Sequence, residues 1–187
     1  MLRELLKEDV LKPGLYCEDD TVEKPERDVQ IAYHEAGHAI ASILLRRTFK
    51  FVSIRKWQGS EGRVHCNPSG DVWHKIYAKD TPEKKRRKLL EREIKVSQAG
   101  PIALLLFTTD CGILCIPDKK EPDFEEIREY QEIGGFSNEE IDVFEADITA
   151  LLADHWFLVE AVAEALMEAK RLQYRQIRNI VKEYVEL

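Results

Sequence analysis

His34, Glu35 and His38, inside Ala32-Tyr33-His34-Glu35-Ala36-Gly37-His38-Ala39-Ile40, are the residues of this chain whose types and spacing could do chemistry. Histidines four apart lie one above the other on a helix face, so both imidazoles can reach a single metal ion. The glutamate beside the first histidine then stands where it can take a proton from a water activated by that metal. So short a pattern also arises by chance, and the bland alternative is a pair of surface or core histidines beside an unrelated acid. Apolar flanks argue against that alternative. The leading expectation is a zinc hydrolase.

A catalytic zinc takes three protein ligands and leaves a fourth position for water. The metzincin solution needs glycine three residues and histidine six residues after the second histidine. Ala41 and Leu44 stand there, so that class is excluded and the third ligand must come from downstream. His65, His74 and His155 qualify by type, but the first two fall in strand-like segments and the third in a helical tail. Asp110, Asp118, Glu121 and Asp123 cluster in and beside a loop. Asp123 opens a helix, where a short acid is equally a capping residue. Spacing alone leaves the choice open.

The elements that must position these residues follow from periodicity and punctuation. Pro25 can open a helix that carries Ile31, His34, Gly37, His38, Ala41 and Leu45 at helical spacing and ends near Arg46-Arg47. Phe49 to Trp57, a Gly59-Ser60-Glu61-Gly62 turn and Arg63 to Cys66 predict a hairpin, and Val72 to Tyr77 a third short strand. Thr81-Pro82-Glu83 predicts a helix start with Thr81 as N-cap and Pro82 at N1. That helix runs to Gly100-Pro101, where a kink or interruption is expected, with Ile102 to Phe107 as its buried continuation.

Thr108 to Pro122 reads as loop. Asp123 to about Ile133 reads as a helix closed by Gly134-Gly135, and Ser137 to Glu140 as a capping box. The remainder reads as two or three amphipathic helices, with Leu151, Leu152, Leu158, Val159, Val162, Leu166, Ile177, Ile180 and Val181 facing inward. The expected fold is therefore mainly α with a small β-sheet (α+β). It divides into a charged N-terminal helix and arm over residues 1–24 and one domain over 25–187.

Composition narrows the partners. The 187 residues carry a net charge of -7, which speaks against nucleic acid. The basic run Lys84-Lys85-Arg86-Arg87-Lys88 lacks interleaved aromatics and reads as a solvated helix face. Cys17, Cys66, Cys111 and Cys115 are not spaced as a zinc knuckle. They are expected as reduced thiols, with Cys111 and Cys115 as buried small hydrophobes. The charged N-terminus has no apolar signal core, and Ile102 to Phe107 is too short to span a bilayer. A soluble, cytoplasmic protein without a membrane partner is expected.

The stretch AYHEAGHAI resembles the active-site helix of the FtsH family of ATP-dependent zinc metalloproteases. Phe49 to Cys66 resembles that family's strand hairpin, Glu91 to Phe107 its second helix, and Leu151 to Val181 its closing helices. The resemblance spans roughly residues 25 to 185 and only the peptidase domain of the family. It implies a zincin-like active-site helix, with His34 and His38 as zinc ligands and Glu35 as catalytic base. It also implies Asp123, at a helix start in Pro122-Asp123-Phe124, as the third ligand.

Departures from the family are visible. Pro101-Ile102-Ala103 replaces an arginine and two alanines, the acid that follows them is missing, and the loop before Asp123 is longer. No phosphate-binding loop and no membrane anchor occur. The expectation is a zinc metalloendopeptidase without its own motor, cleaving peptides or unstructured polypeptides. A separate ATPase and self-assembly are candidate partners. An exposed edge of Phe49 to Trp57, or of its hairpin partner, could take an extended peptide as an added strand. The alternatives are a catalytically reduced, metal-binding regulatory module of the same fold, and a zinc hydrolase acting on a small amide.

Overall fold

In the computed structural model, residues 14–16, 25–55, 63–66, 71–116 and 121–184 are described. Strand β1 (Gly14–Tyr16) precedes helix α1 (Arg27–Leu44), strands β2 (Phe49–Ser53) and β3 (Arg63–Cys66), and helices α2 (Asp71–Tyr77) and α3 (Glu83–Asp110). Strand β4 (Leu114–Ile116), helices α4 (Pro122–Gly134), α5 (Asn138–Asp154) and α6 (Trp156–Ala169), strand β5 (Arg171–Gln173) and helix α7 (Tyr174–Tyr184) complete the order. The fold is mainly helical, as expected, with two small antiparallel sheets: β1-β4 and β3-β2-β5.

Helix α3 is the spine. Its N-terminal half gives Leu90 and Ile94 to a core shared with Phe124, Ile127 and Tyr130 of α4 and Ile141 and Phe144 of α5. Further along, Val96, Ala99, Ile102, Ala103 and Leu105 join a second core. There they meet Ala32, Ala36, Ala39 and Ile40 of α1, Leu158, Val159, Val162 and Leu166 of α6, and Ile177 and Val181 of α7. Burial of these apolar side chains, each worth about 1.5–3 kcal/mol for the larger ones, fixes α3 between its neighbours. Helices α1 and α4 each pack on α3, with little direct packing on each other.

Several expectations are borne out. The hairpin pairs β2 with β3, Val52 opposite Val64. Ser137 and Glu140 form the reciprocal capping box of α5, and Gly135 closes α4 at φ 59°, a left-handed position that suits glycine. Of the nine residues expected to face inward in the tail, Leu151 and Ile180 are half-buried and the other seven fully buried. The helix expected at the start of residues 1–24 lies outside the described residues, but Gly14–Tyr16 of the expected arm forms strand β1, paired with β4, and the Gly59 to Gly62 turn lies outside the described residues altogether.

Other expectations are corrected. Val72 to Tyr77 is helix α2, not a strand: Ile76 is buried while His74 and Tyr77 are exposed, a one-sided helical pattern. Helix α3 begins at Glu83, one residue late. Pro82 keeps an extended ψ of 137° and its carbonyl, not the Thr81 hydroxyl, receives the first amides, those of Lys85 and Arg86. The same helix runs unbroken through Gly100-Pro101 to Asp110. Proline forfeits one backbone bond there, but Ala99, Gly100, Pro101, Ile102 and Ala103 are all buried, and packing on both sides outweighs the loss.

Helix α1 stops at Leu44 because Arg46 turns left-handed at φ 58°, short of the expected Arg46-Arg47 end. Residues 108–122 are less loop than expected, since α3 and β4 occupy part of them. Strand β5 was not expected, and by pairing Leu172 with Val52 it encloses β2 on its second edge.

The basic run also acquires a structural explanation. Arg86 donates to the Ala78 and Thr81 carbonyls, while Arg87 donates to the Gly134 carbonyl, pairs with Glu140 and lies over the Phe136 ring. Two of its five cations therefore hold α3 to the ends of neighbouring elements. Among the described residues no helix is long and apolar enough to cross a membrane.

Candidate metal centre

Helix α1 presents His34 and His38 one turn apart, as the spacing requires, with their Nε2 atoms 3.1 Å from each other. Asp123, in the first turn of α4, brings Oδ2 to 3.0 Å from His34 Nε2 and 3.3 Å from His38 Nε2. Three donor atoms thus form a nearly equilateral triangle. The ion that suits it can be tested by geometry: tetrahedral zinc at about 2.0–2.1 Å from each ligand spaces ligand atoms about 3.3 Å apart. The observed sides fit. His38 lies deepest, its side chain 9% exposed, whereas His34 and Asp123 keep 18% and 20%, so the triangle opens to solvent on one side.

The tautomer of His38 follows from its other nitrogen. Nδ1 lies 2.7 Å from the Val96 carbonyl oxygen of α3, and a carbonyl can only accept, so Nδ1 carries the hydrogen. In the neutral ring Nε2 then offers a lone pair to a space already bordered by the Asp123 carboxylate. Acceptors that close repel unless a positive charge lies among them, which must be a proton or a metal ion.

Electrostatics agree. Burial would lower the pKa of His38, but the charge and hydrogen bond of Asp123, followed by Glu35 and the Val96 carbonyl, raise it to about 9. Burial likewise disfavours ionised Asp123, yet the charge of His38 and hydrogen bonds from both histidines hold its carboxyl well below the usual carboxylate range. These two shifts describe one interaction and count once.

Glu35, next to His34 on α1, is 6% exposed and close enough for its charge to act on His38. Two glycines permit the assembly. A Cβ on Gly37 would overlap the Ala99 carbonyl oxygen and the Ala103 Cβ, so Gly37 is what lets α1 approach α3. A Cβ on Gly100 would overlap the His38 ring itself. The Gly100 requirement and the Val96 carbonyl were not read from the sequence. A backbone carbonyl leaves no residue signature, whereas a glycine inside a buried helix is a visible signal of close approach.

The other candidates fall away from the triangle. Among the described residues, His34, His38 and Asp123 are the only group of three or more metal-binding side chains placed to share an ion. Asp110 ends α3 near Tyr33, and Glu121 precedes α4, where its carbonyl takes the Phe124 and Glu125 amides. His74 is exposed on α2, and His155 hydrogen-bonds the Leu151 carbonyl between α5 and α6. His65 pairs in β3 opposite Phe51, and Asp118 lies outside the described residues. Cys111 is exposed, not buried as expected, because it caps the end of α3 directly after exposed Thr109 and Asp110. Comparison of the chain with protein-family models and with curated proteins returns no match.

Proposed function

We propose that this chain is a zinc-dependent peptidase of FtsH-like type, acting on peptides and unstructured polypeptides. The observation that carries the reading is the triangle of donors that His34 and His38 of α1 form with Asp123 of α4, with buried Glu35 next to His34 on α1. A bound zinc ion would supply Lewis acidity, lowering the pKa of water toward neutrality and polarising a carbonyl. His34, His38 and Asp123 hold it, the Val96 carbonyl keeps His38 in the ligating tautomer, and Glu35 receives the proton of the attacking water and returns it to the leaving amine. An extended peptide added as a strand would dock on β3, because β2 is paired on both sides.

Metal analysis of the wild type beside Asp123→Ala and Glu35→Gln, with digestion of an unstructured test protein, tests this. The wild type should carry one zinc and cleave, Asp123→Ala should lose zinc, and Glu35→Gln should keep zinc while losing turnover. A zinc-loaded wild type that leaves unstructured proteins and peptides intact would favour the non-catalytic, metal-binding module instead. No zinc uptake by the wild type would refute both.

A further inference from the structure

The two ligand-bearing helices, α1 and α4, meet mainly through α3, and α3 touches the ligand environment of each at adjacent residues. Val96 gives its carbonyl to His38 Nδ1 at 2.7 Å. Ser97, 5% exposed, donates its hydroxyl to Glu126 Oε2 at 3.0 Å. Glu126 stands one helical turn after Asp123 on α4, so a bond at Glu126 fixes the rotation and height of the turn that carries Asp123. We infer that Ser97 and Glu126 are a positioning pair, setting Asp123 against the two histidines so that the metal site exists before metal binds.

The alternatives on α4 do not perform this task. Phe124, Ile127 and Tyr130 anchor the helix in the core, but apolar packing is non-directional and tolerates small slides along the groove. A metal site tolerates about 0.2 Å in ligand distance. Directional bonds are what meet such a tolerance, and Ser97–Glu126 is such a bond, joining α3 to the first two turns of α4. Glu126 is not itself a ligand, since the metal-competent group holds only His34, His38 and Asp123.

This inference rests on the metal-centre reading, and the experiment separates the two. Zinc affinity would be measured by chelator competition, and the cobalt(II) absorption spectrum recorded, for the wild type, Ser97→Ala, Glu126→Ala, Glu126→Gln and Ser97→Ala/Glu126→Ala. Melting of the metal-free proteins would be followed in parallel. Loss of an outer-shell partner costs about 10–100-fold in metal affinity. Ser97→Ala and Glu126→Ala should each fall in that range with altered cobalt bands. The double variant should fall no further, and Glu126→Gln, which still accepts the Ser97 bond, should stay within about threefold of wild type.

Equal losses in Glu126→Gln and Glu126→Ala would show that the carboxylate acts by charge alone and overturn the inference. Unchanged affinity and spectrum in the folded Ser97→Ala protein would overturn it too. A wild type that takes up neither metal would remove the metal centre, and the positioning pair with it.

Discussion

Gly100→Ala should abolish metal binding while leaving the fold standing. A Cβ at this position would stand 2.6 Å from His38 Cε1 and 2.7 Å from Cδ2, and nearer still to Nε2. Comfortable contact needs about 3.5 Å, so the ring must retreat by roughly 1 Å. It cannot do so freely, because Nδ1 is tied to the Val96 carbonyl and the side chain is 9% exposed. A displacement of roughly 1 Å is about five times the tolerance of a metal–ligand distance, so His38 is lost as a ligand and zinc affinity should drop by at least about 100-fold.

The stability term points the other way. Overpacking costs about 1–3 kcal/mol, and replacing a mid-helix glycine by alanine returns about 0.5–1 kcal/mol. The net loss of roughly 0–2.5 kcal/mol should leave a folded protein with a modestly lowered melting temperature. The assay is chelator competition for zinc beside thermal melting of the metal-free protein. A folded Gly100→Ala protein that binds zinc as the wild type does would refute the reasoning.

Gly37→Ala should behave oppositely. Its Cβ meets the backbone of α3 at Ala99 and the Ala103 side chain, neither of which can swing aside, so α1 and α3 must separate and stability falls by several kcal/mol, read as a lower melting temperature before metal is added. Zinc affinity should rise about tenfold per pH unit from about 7 to 9, because the ion must displace the proton of His38, whose pKa is about 9. A flat profile would mean that His38 is not a ligand. In the metal-free protein the raised His38 pKa contributes stability that is fully present below about 6.5 and lost as pH rises through about 9. That contribution is about 3 kcal/mol. The depressed Asp123 pKa has the opposite sense, with stability present above about 3.9 and lost as pH falls below it, so melting temperature should plateau between about 4 and 6.5.

What could be read from the sequence was local. HExxH is a statement about one helix face, and α1 delivers it because its geometry depends only on residues within a turn of each other. The capping box and the glycine stop of α4 are equally local and were legible for the same reason. Val72 to Tyr77 was misread since a short apolar-polar alternation fits a strand as well as one side of a two-turn helix. The continuity of α3 through Pro101 was hidden because a proline's local penalty is visible in sequence, whereas the burial that outweighs it is not. Strand β5 was hidden for a similar reason: three residues between two helices carry no period, and only pairing with Val52 makes them a strand.

The candidate site was legible to the extent that it lies on α1, and ambiguous where it leaves that helix. Asp123 is separated from His38 by two strands, two helices and a further strand, and nothing in residue spacing distinguishes it from Asp110 or Glu121. The distinction comes from α3. One residue step along that helix separates the carbonyl that orients His38 from the hydroxyl that holds the turn of Asp123, and one further turn brings Gly100 beneath the His38 ring. A helix that supplies no ligand therefore bears on both helices that do. It follows that substitutions at Val96 to Gly100 should perturb metal affinity more than equally buried substitutions elsewhere in α3, such as Leu90→Ala, which should cost about 2–5 kcal/mol of stability and leave the affinity of the folded fraction unchanged.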